Sequence, residues 1–283
     1  REANPQQWDE VAETWARAAE EEEKGASADA AKWMLEAADL RPGERVLEIA
    51  CGAGRVGLQA ASRVGPEGTV LCSDFSEAMV AAVGQRVDRL GIANVEARVL
   101  DAEDIDLDEQ PFDVVLCRFG YMVMPDAAQA LRESARALRP GGRLVLAVWG
   151  EAEKNLWLAA ILNAVMSQLG APPPEPGAPG PFSLGDPARL RELLDQAGLA
   201  EAEITELETK QRYDSPEAWW DKILDVGGPL AAILSPLSEA DRQAIRDAAL
   251  AVGREYVTAD GSVVFPASVV GAEARKPGQR RPS

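Results

Sequence analysis

The chain contains no histidine, only three cysteines, and few aromatic residues, which make up 5% of its 283 residues. The absence of histidine removes the commonest general base. Because the chain also has no Cys-x-x-Cys motif, we expect no structural zinc site. The number of cysteines is odd, and each one lies in or beside an apolar run, at Cys51, Cys72 and Cys117. This pattern indicates buried free thiols in a reducing cytosol rather than a disulfide framework. No carboxylate cluster has a metal-ligand spacing, so we predict no metal ion.

Long apolar runs are also lacking, since none approaches the roughly 20 residues that a membrane span needs. The N-terminal sequence does not have the charged, apolar and small-residue order of a signal peptide. We therefore predict a cytoplasmic location with no membrane span. The net charge is −18, from 47 acidic and 29 basic residues. An acidic surface repels phosphate backbones and anionic lipids, so we expect no nucleic-acid partner. We also expect a small-molecule partner and a chain that is a monomer or a homodimer.

Short apolar strands alternate with helices through the first half of the chain. The β-rich runs cover residues 45–50, 68–74, 95–101, 111–118 and 141–150. Near-continuous apolar strands separated by helices predict a parallel sheet that is covered on both faces.

The flanking segments have different patterns. Helical spacing over residues 1–40 predicts an N-terminal helical lid. Residues 202–213 and 262–275 read as two further strands of the domain that we predict over 41–275, with a helical cap insertion at about 214–256. The basic end, residues 276–283, is predicted to be a disordered tail.

The stretch VLEIACGAGRVG, residues 46–57, allows two interpretations. Its glycines have the Gly-x-Gly-x-x-Gly spacing of a dinucleotide-binding turn, and Asp74 at the end of the second strand suits either kind of nucleotide. Glu48 distinguishes them, because a carboxylate beside the turn is unfavourable for a pyrophosphate. A ligand with an ammonium or sulfonium group tolerates it.

The series VLEIACGAG, SDFSEAM, LDAEDI, FDVVLCRFGYMVMPD and LRPGGRLVLAVWG resembles class I S-adenosylmethionine-dependent methyltransferases. The branch it is most similar to contains the ubiquinone/menaquinone-biosynthesis C-methyltransferases. The resemblance is specific over residues 40–150 and looser elsewhere. It implies an α/β fold with a doubly wound, seven-stranded, mostly parallel sheet in the order 3-2-1-4-5-7-6, N-terminal helices and a helical cap insertion. It also implies S-adenosyl-L-methionine as cofactor and S-adenosyl-L-homocysteine as product.

The resemblance assigns roles to individual positions. Glu48 and the turn 50–54 are implied to hold the methionine end, Asp74 to accept from the ribose hydroxyls, and Arg118 to lie beside the methyl group. Ala50 stands where the family usually has glycine, and we expect this extra methyl to be a small change. The implied cofactor residues are Glu48, Ala50, Cys51, Gly52, Gly54, Asp74, Phe75, Met79, Asp101, Ala102, Glu103 and Arg118.

Acceptor-binding residues should come from the loops after strands four and five, the lid and the cap, because sites in open α/β sheets lie at the carboxyl ends of strands. Each aromatic at these places is equally well explained as a core residue. No catalytic residue is assigned, although Tyr121 and Arg118 are candidates. The predicted acceptor-binding residues are Trp8, Trp15, Phe119, Tyr121, Met122, Trp149, Trp219 and Trp220.

These features predict an enzyme that transfers a methyl group to an O, N or C atom of a small organic acceptor by in-line displacement. One alternative is a protein of this fold that binds the cofactor but performs another reaction or none. The glycine spacing leaves an NAD-dependent oxidoreductase as a further alternative. The sequence leaves the acceptor and any general base open.

Overall fold

A seven-stranded sheet with helices on both faces forms the body of the molecule. The computed structural model describes residues 6–20, 24–107, 111–175, 177–226 and 228–278. The strand order is β3-β2-β1-β4-β5-β7-β6, with only β7 antiparallel to its neighbours, so the predicted α/β class and order are confirmed. The strands are β1 Arg45–Ile49, β2 Thr69–Asp74, β3 Val95–Val99, β4 Phe112–Arg118, β5 Leu138–Trp149, β6 Ala200–Tyr213 and β7 Val263–Arg275.

The helices connect successive strands, precede the sheet or are inserted between β6 and β7. Because parallel crossovers are right-handed, the connections that lead away from β1 towards β3 lie on the opposite face from those that lead away from β4. The helices are α1 Gln6–Asp9, α2 Ala12–Glu20, α3 Ala26–Ala37, α4 Arg55–Val64, α5 Glu77–Leu90, α6 Ala127–Ala137, α7 Leu156–Leu169, α8 Pro187–Gln196, α9 Pro216–Val226, α10 Gly228–Leu234 and α11 Glu239–Arg254.

The reversal of strand order between β1 and β4 positions the site. The two strands pair in parallel, with Leu47 opposite Val115, and their central residues are fully buried. Chain connections leave the carboxyl ends of β1 and β4 in opposite directions, which opens a crevice at that edge of the sheet.

The last two strands form a long ribbon that carries the cap. Trp149 at the end of β5 pairs with Val269, but β6 and β7 continue to pair as far as Tyr213 and Val263. At about 3.3 Å per residue, the ribbon extends about 20 Å beyond β5. Helices α9 to α11 lie between these strands in sequence, and the Trp219 ring packs on Phe265 of β7 at 4.8 Å.

The sequence predicted a disordered tail from residue 276, but the backbone of Lys276 is still hydrogen-bonded. Its N–H donates to Gly142 O and its carbonyl accepts from Gly141 N, both at 2.9 Å. Residues 279–283 of the predicted tail lie outside the described residues.

None of the helices in the described segments combines the length and apolar character that a bilayer crossing needs.

A buried ion pair fixes the end of α3 to the sheet. The Arg143 guanidinium donates to both Glu44 carboxylate oxygens, at 2.8 and 2.9 Å, and both side chains are almost fully buried. The same guanidinium donates to the carbonyls of Ala38 and Asp39, where α3 ends. One planar fork therefore satisfies a helix terminus and a carboxylate together.

We expect Glu44→Gln to lower the free energy of unfolding by about 3 kcal/mol, because a buried guanidinium loses its counter-charge. Urea denaturation measures this change. Asp39→Asn is the matched control, since the Asp39–Arg41 pair is exposed and such pairs contribute about 0–1 kcal/mol. Equal losses in the two variants would contradict the role given to the buried pair.

Candidate functional site at the carboxyl edge of the sheet

The turn after β1 has a backbone that opens towards the crevice. Ala50, Gly52 and Gly54 have φ angles of 51, 53 and 74°, all in the left-handed region. A Cβ built on Gly52 would meet no described atom within 4 Å, so this side of the turn is open. The left-handed conformation of Ala50 costs an L residue about 1–2 kcal/mol. This cost explains why glycine is usual at the same position in the family that the chain resembles.

Glu48 lies beneath this turn rather than in the crevice. Its side chain is 2% exposed, and Oε2 accepts the Gly57 N–H at 2.8 Å. The Cys72 thiol lies 3.6 Å from the same oxygen. A Cβ on Gly57 would overlap both the Glu48 carboxylate and the Cys72 sulfur, so glycine allows α4 to approach the sheet closely. The contact of Glu48 with a bound methionine end stays a prediction.

Burial raises the pKa of Glu48 to about 7, against the opposing effects of the nearby Arg118 charge and the Gly57 N–H. The carboxyl thus keeps its proton to a higher pH in the folded protein than in the unfolded chain.

Asp74 ties the end of β2 to the glycine turn. Oδ2 accepts the Gly52 N–H at 2.9 Å and Oδ1 accepts the Ser76 N–H at 3.0 Å. Burial raises its pKa, while the N–H groups of Ser76, Gly52 and Phe75 act in the opposite direction. The predicted carboxylate is therefore at the crevice, held by the backbone groups that flank it.

The remaining predicted cofactor residues follow β2 and β3. Phe75 and Ala102 are half-buried, and Asp101 is exposed with its carboxylate accepting the Glu103 N–H at 2.8 Å. Glu103 instead accepts the Asp126 N–H at 2.8 Å and so supports the start of α6. Met79 is buried on α5, where it packs against the lid.

The loop after β4 places stacked aromatic rings at the crevice, and we call the pair Phe119 and Trp149 the aromatic wall. Phe119 has a φ of 60° and stacks on Trp149, with ring centroids 4.0 Å apart and planes 12° apart. Trp149 in turn meets Trp157 edge-on at 4.8 Å. Arg118 lies 5.8 Å from the centre of the Phe119 ring and donates to Ser27 O at 2.9 Å. A left-handed backbone at a bulky residue is rare and is typical of functional sites.

Tyr121 lies inside the fold, and its candidacy as a catalytic residue stays a prediction. Its ring is fully buried, and its hydroxyl is 2.6 Å from Ser134 Oγ inside the fold. Burial raises the pKa of the phenol well above its usual range, so it does not deprotonate to accept a proton near neutral pH. Met122 is also buried in the core.

The cap tryptophans are buried in the core cluster, and their contact with an acceptor stays a prediction. Trp219 is fully buried, and its Nε1 donates to Trp157 O at 2.7 Å. Trp220 is 5% exposed in the same cluster. Apolar side chains at helical spacing pack in the same way whether or not a pocket lies beside them, so the sequence could not distinguish these roles.

The lid tryptophans lie where the lid meets its neighbours. Trp8 and Trp15 pack against a small cluster of Val11, Ala12 and Met79. Trp15 Nε1 donates to Val226 O at the end of α9, at 3.1 Å. The lid therefore contacts both the cofactor-side helix α5 and the cap.

All three cysteines are buried free thiols, as the sequence predicts. The neighbouring Cys72 thiol and burial raise the pKa of Cys51 well above its usual range, so it stays protonated. Among the described residues, no group of three or more acidic or thiol side chains is arranged to hold a metal ion.

Two residues beside the site were missed by the sequence analysis. Asp9 of the lid accepts the Ser76 hydroxyl proton at 2.5 Å. Arg86 of α5 donates both to Ala53 O in the glycine turn and to Ala19 O in the lid. Nothing in the sequence pattern marks either residue, because each contact joins segments far apart in the chain.

Comparison with known proteins identifies several similar chains. A family model described as a methyltransferase domain matches residues 46–142. Nocamycin O-methyltransferase of Saccharothrix syringae is 32% identical over 199 residues, which cover 66% of this chain and 70% of that protein. A ubiquinone/menaquinone biosynthesis C-methyltransferase of Idiomarina loihiensis is 36% identical over 116 residues, 41% of this chain and 46% of the relative. The chain thus matches less than half of that second relative's length.

A solved structure adds a likeness in fold. Phosphoethanolamine N-methyltransferase 2 of Haemonchus contortus, in complex with phosphomonomethylethanolamine and S-adenosylhomocysteine, aligns with a TM-score of 0.56 at 20% identity. The alignment covers 88% of this chain and 52% of that one.

Between pH 5 and pH 8 we expect the free energy of unfolding to fall in the wild type. The fall should be about 2 kcal/mol larger than in the Glu48→Gln variant. The folded state binds the extra proton between pH 4.5 and about 7, so stability is lost as pH rises through that window. Glutamine keeps an oxygen for the Gly57 N–H and does not ionise. Urea denaturation at both pH values measures the difference.

Glu96→Gln is the control, because this carboxylate is exposed in its pair with Arg98. Parallel pH profiles for the wild type and Glu48→Gln would show that Glu48 ionises normally.

Proposed function

The chain belongs to the class I S-adenosylmethionine-dependent methyltransferases, and from that premise we propose that it methylates a small organic acceptor bound beside Phe119. When bound, the cofactor supplies an activated methyl group on a sulfonium sulfur. An acceptor held beside Phe119 would take this methyl group with its own electron pair, leaving S-adenosylhomocysteine, and its proton would pass to solvent.

One observation carries the proposal: the loop after β4 packs directly against the glycine turn. A Cβ on Gly120 would overlap the Cβ of Ala50 and the sulfur of Cys117. This close approach puts the half-buried Phe119 beside the part of the turn proposed to hold the methionine end. Donor and acceptor would then share the same corner of the crevice, as in-line displacement requires.

The proposed roles follow from the charges and backbone groups present. Asp74 presents a carboxylate to the ribose hydroxyls, and the open backbone of the turn around Gly52 lies against the methionine end. Arg118, Phe119 and Trp149 form the acceptor wall. With Tyr121 buried and paired, we propose that orientation of the acceptor, rather than a protein base, supplies most of the rate.

The first test is calorimetric titration of S-adenosylhomocysteine into the full chain, for which we expect micromolar binding. Asp74→Asn should weaken binding at least tenfold, because a charged acceptor for two hydroxyls and one support of the turn is lost. Asp88→Asn is the control, since this carboxylate is exposed near the other end of α5. An absence of heat from a folded wild-type sample would refute the proposal, as would binding of a reduced nicotinamide cofactor in its place.

Transfer itself is tested by incubation with unlabelled S-adenosylmethionine and a panel of small oxygen, nitrogen and carbon nucleophiles. Mass spectrometry should detect a product 14 mass units heavier than one of the acceptors, the mass of an added CH₂. Cofactor binding without any methylated product would instead favour the alternative in which the fold performs another reaction or none.

A further inference from the structure

A single buried asparagine lies behind the aromatic wall and joins the segment after β5 to β7 and to the start of α7. Asn155 immediately precedes α7, and its side chain is fully buried. Its Nδ2 donates to Glu151 O at 3.1 Å and to Ser268 O at 3.0 Å. Its Oδ1 accepts the Ser268 N–H and the Trp157 Nε1–H, both at 3.1 Å. The amide group therefore uses both of its donors and both of its acceptor positions inside the fold.

Two of these hydrogen bonds extend the sheet beyond the end of β5. This strand ends at Trp149, which pairs with Val269, and the next N–H, of Gly150, donates to Ser268 O at 2.9 Å. The Asn155 amide then exchanges a donor and an acceptor with the Ser268 backbone, as one further residue of an antiparallel strand would. An ionised carboxylate has no donor for this exchange, and an alkyl side chain has neither group. Asparagine thus fixes the segment after β5 to the ribbon.

The remaining hydrogen bond of the amide holds the ring of Trp157. An indole ring can turn over about its χ2 torsion, and a hydrogen bond to Nε1 selects one of the two orientations. In this orientation Trp157 meets the Trp149 ring edge-on, with centroids 4.8 Å apart and planes 68° apart. Trp149 stacks in turn on Phe119, with centroids 4.0 Å apart. The amide oxygen of Asn155 is therefore the polar anchor for three rings in series.

Of these three rings, Phe119 is the one that an acceptor can contact. Trp157 and Trp149 are 6% and 7% exposed, whereas Phe119 is half-buried. Gly120, the next residue, packs closely on the glycine turn. A shift of the Trp157 ring would displace the rings in front of it, because a close-packed interior has few voids that could absorb the movement.

We propose that Asn155 is a positioning residue for the acceptor, since by holding Trp157 it sets, through Trp149, the place of the Phe119 ring. This inference rests on the proposed function, in which the acceptor lies beside Phe119. Asn155 acts through the rings and not by touching the reacting atoms. Because in-line transfer is sensitive to shifts of about 1 Å, loss of the amide lowers acceptor turnover and leaves cofactor affinity unchanged.

Two variants break the link at different points. Asn155→Ala removes the whole amide, and Trp157→Phe removes the indole N–H while keeping an aromatic ring. Asn94→Ala is the matched control, because the Asn94 amide also donates to two backbone carbonyls, those of Ala61 and Gly65, at 3.0 and 2.9 Å. These bonds lie at the amino end of β3, on the other edge of the sheet from the site.

The first measurement is fluorine NMR of the full chain labelled with 5-fluorotryptophan, with the seven signals assigned by replacing one tryptophan at a time. The Trp149 signal should move in Asn155→Ala and in Trp157→Phe, because the ring that meets its face has shifted. The same signal should keep its place in Asn94→Ala.

The second measurement is kinetic and uses the acceptor that the product panel identifies. We expect kcat/KM for the acceptor to fall roughly tenfold in Asn155→Ala and in Trp157→Phe. The Kd of S-adenosylhomocysteine, measured by calorimetry, should stay within about twofold of wild type. The double variant should match Asn155→Ala to within about twofold, because a link that is already broken cannot be lost again.

Three results would overturn the inference and leave the proposed function standing. They are a Trp149 signal that moves no more in Asn155→Ala than in Asn94→Ala, additive losses in the double variant, and equal losses of cofactor affinity and acceptor turnover. If Asn155→Ala does not fold, Trp157→Phe decides alone, and an unmoved Trp149 signal or an unchanged acceptor kcat/KM would overturn the inference. A wild type that methylates no acceptor of the panel would overturn the proposed function and this inference with it.

Discussion

The contact between the Glu48 carboxylate and the Gly57 N–H is the constraint on which the site depends. It draws the first turn of α4 onto β1, and the five residues between the strand and the helix must then reverse within a short span. The left-handed angles of the turn allow the chain to reverse within that span. The open backbone and the buried hydrogen bond thus belong to the same short connection between β1 and α4.

The position of Glu48 changes the physical meaning of the sequence motif. From the sequence, a carboxylate next to the turn indicated a cationic group on the ligand. In the structure the carboxylate is enclosed, and Arg118 already lies near enough to influence its pKa. Glu48 acts on the turn from inside the fold. Gly57, which made the motif resemble a dinucleotide turn, is required because a side chain there would displace that carboxylate.

The first five strands, the turn and Asp74 could be predicted from local pattern and motif spacing, whereas the strand order followed only from the resemblance to a known family. The roles of the aromatic residues could not be predicted. Trp219 and Tyr121 have the apolar neighbours of pocket residues, yet both are buried and hydrogen-bonded within the core. The contacts of Asp9 with Ser76 and of Arg86 with Ala19 each join residues 67 positions apart, and no periodicity records such a pair.

The lid, the cap and the sheet meet through a few polar contacts, and this arrangement suits a reaction that depends on orientation. Trp15 joins the lid to the end of α9, while Trp219 joins α9 to α7, next to the aromatic wall of Phe119 and Trp149. A chain of contacts thus runs from residues 6–20 through the cap to the rings of Phe119 and Trp149. In-line transfer is sensitive to shifts of about 1 Å, so elements that contact no reacting atom can still govern its rate. In a chain without histidine, and with Tyr121 buried, orientation is therefore the means of catalysis that we propose.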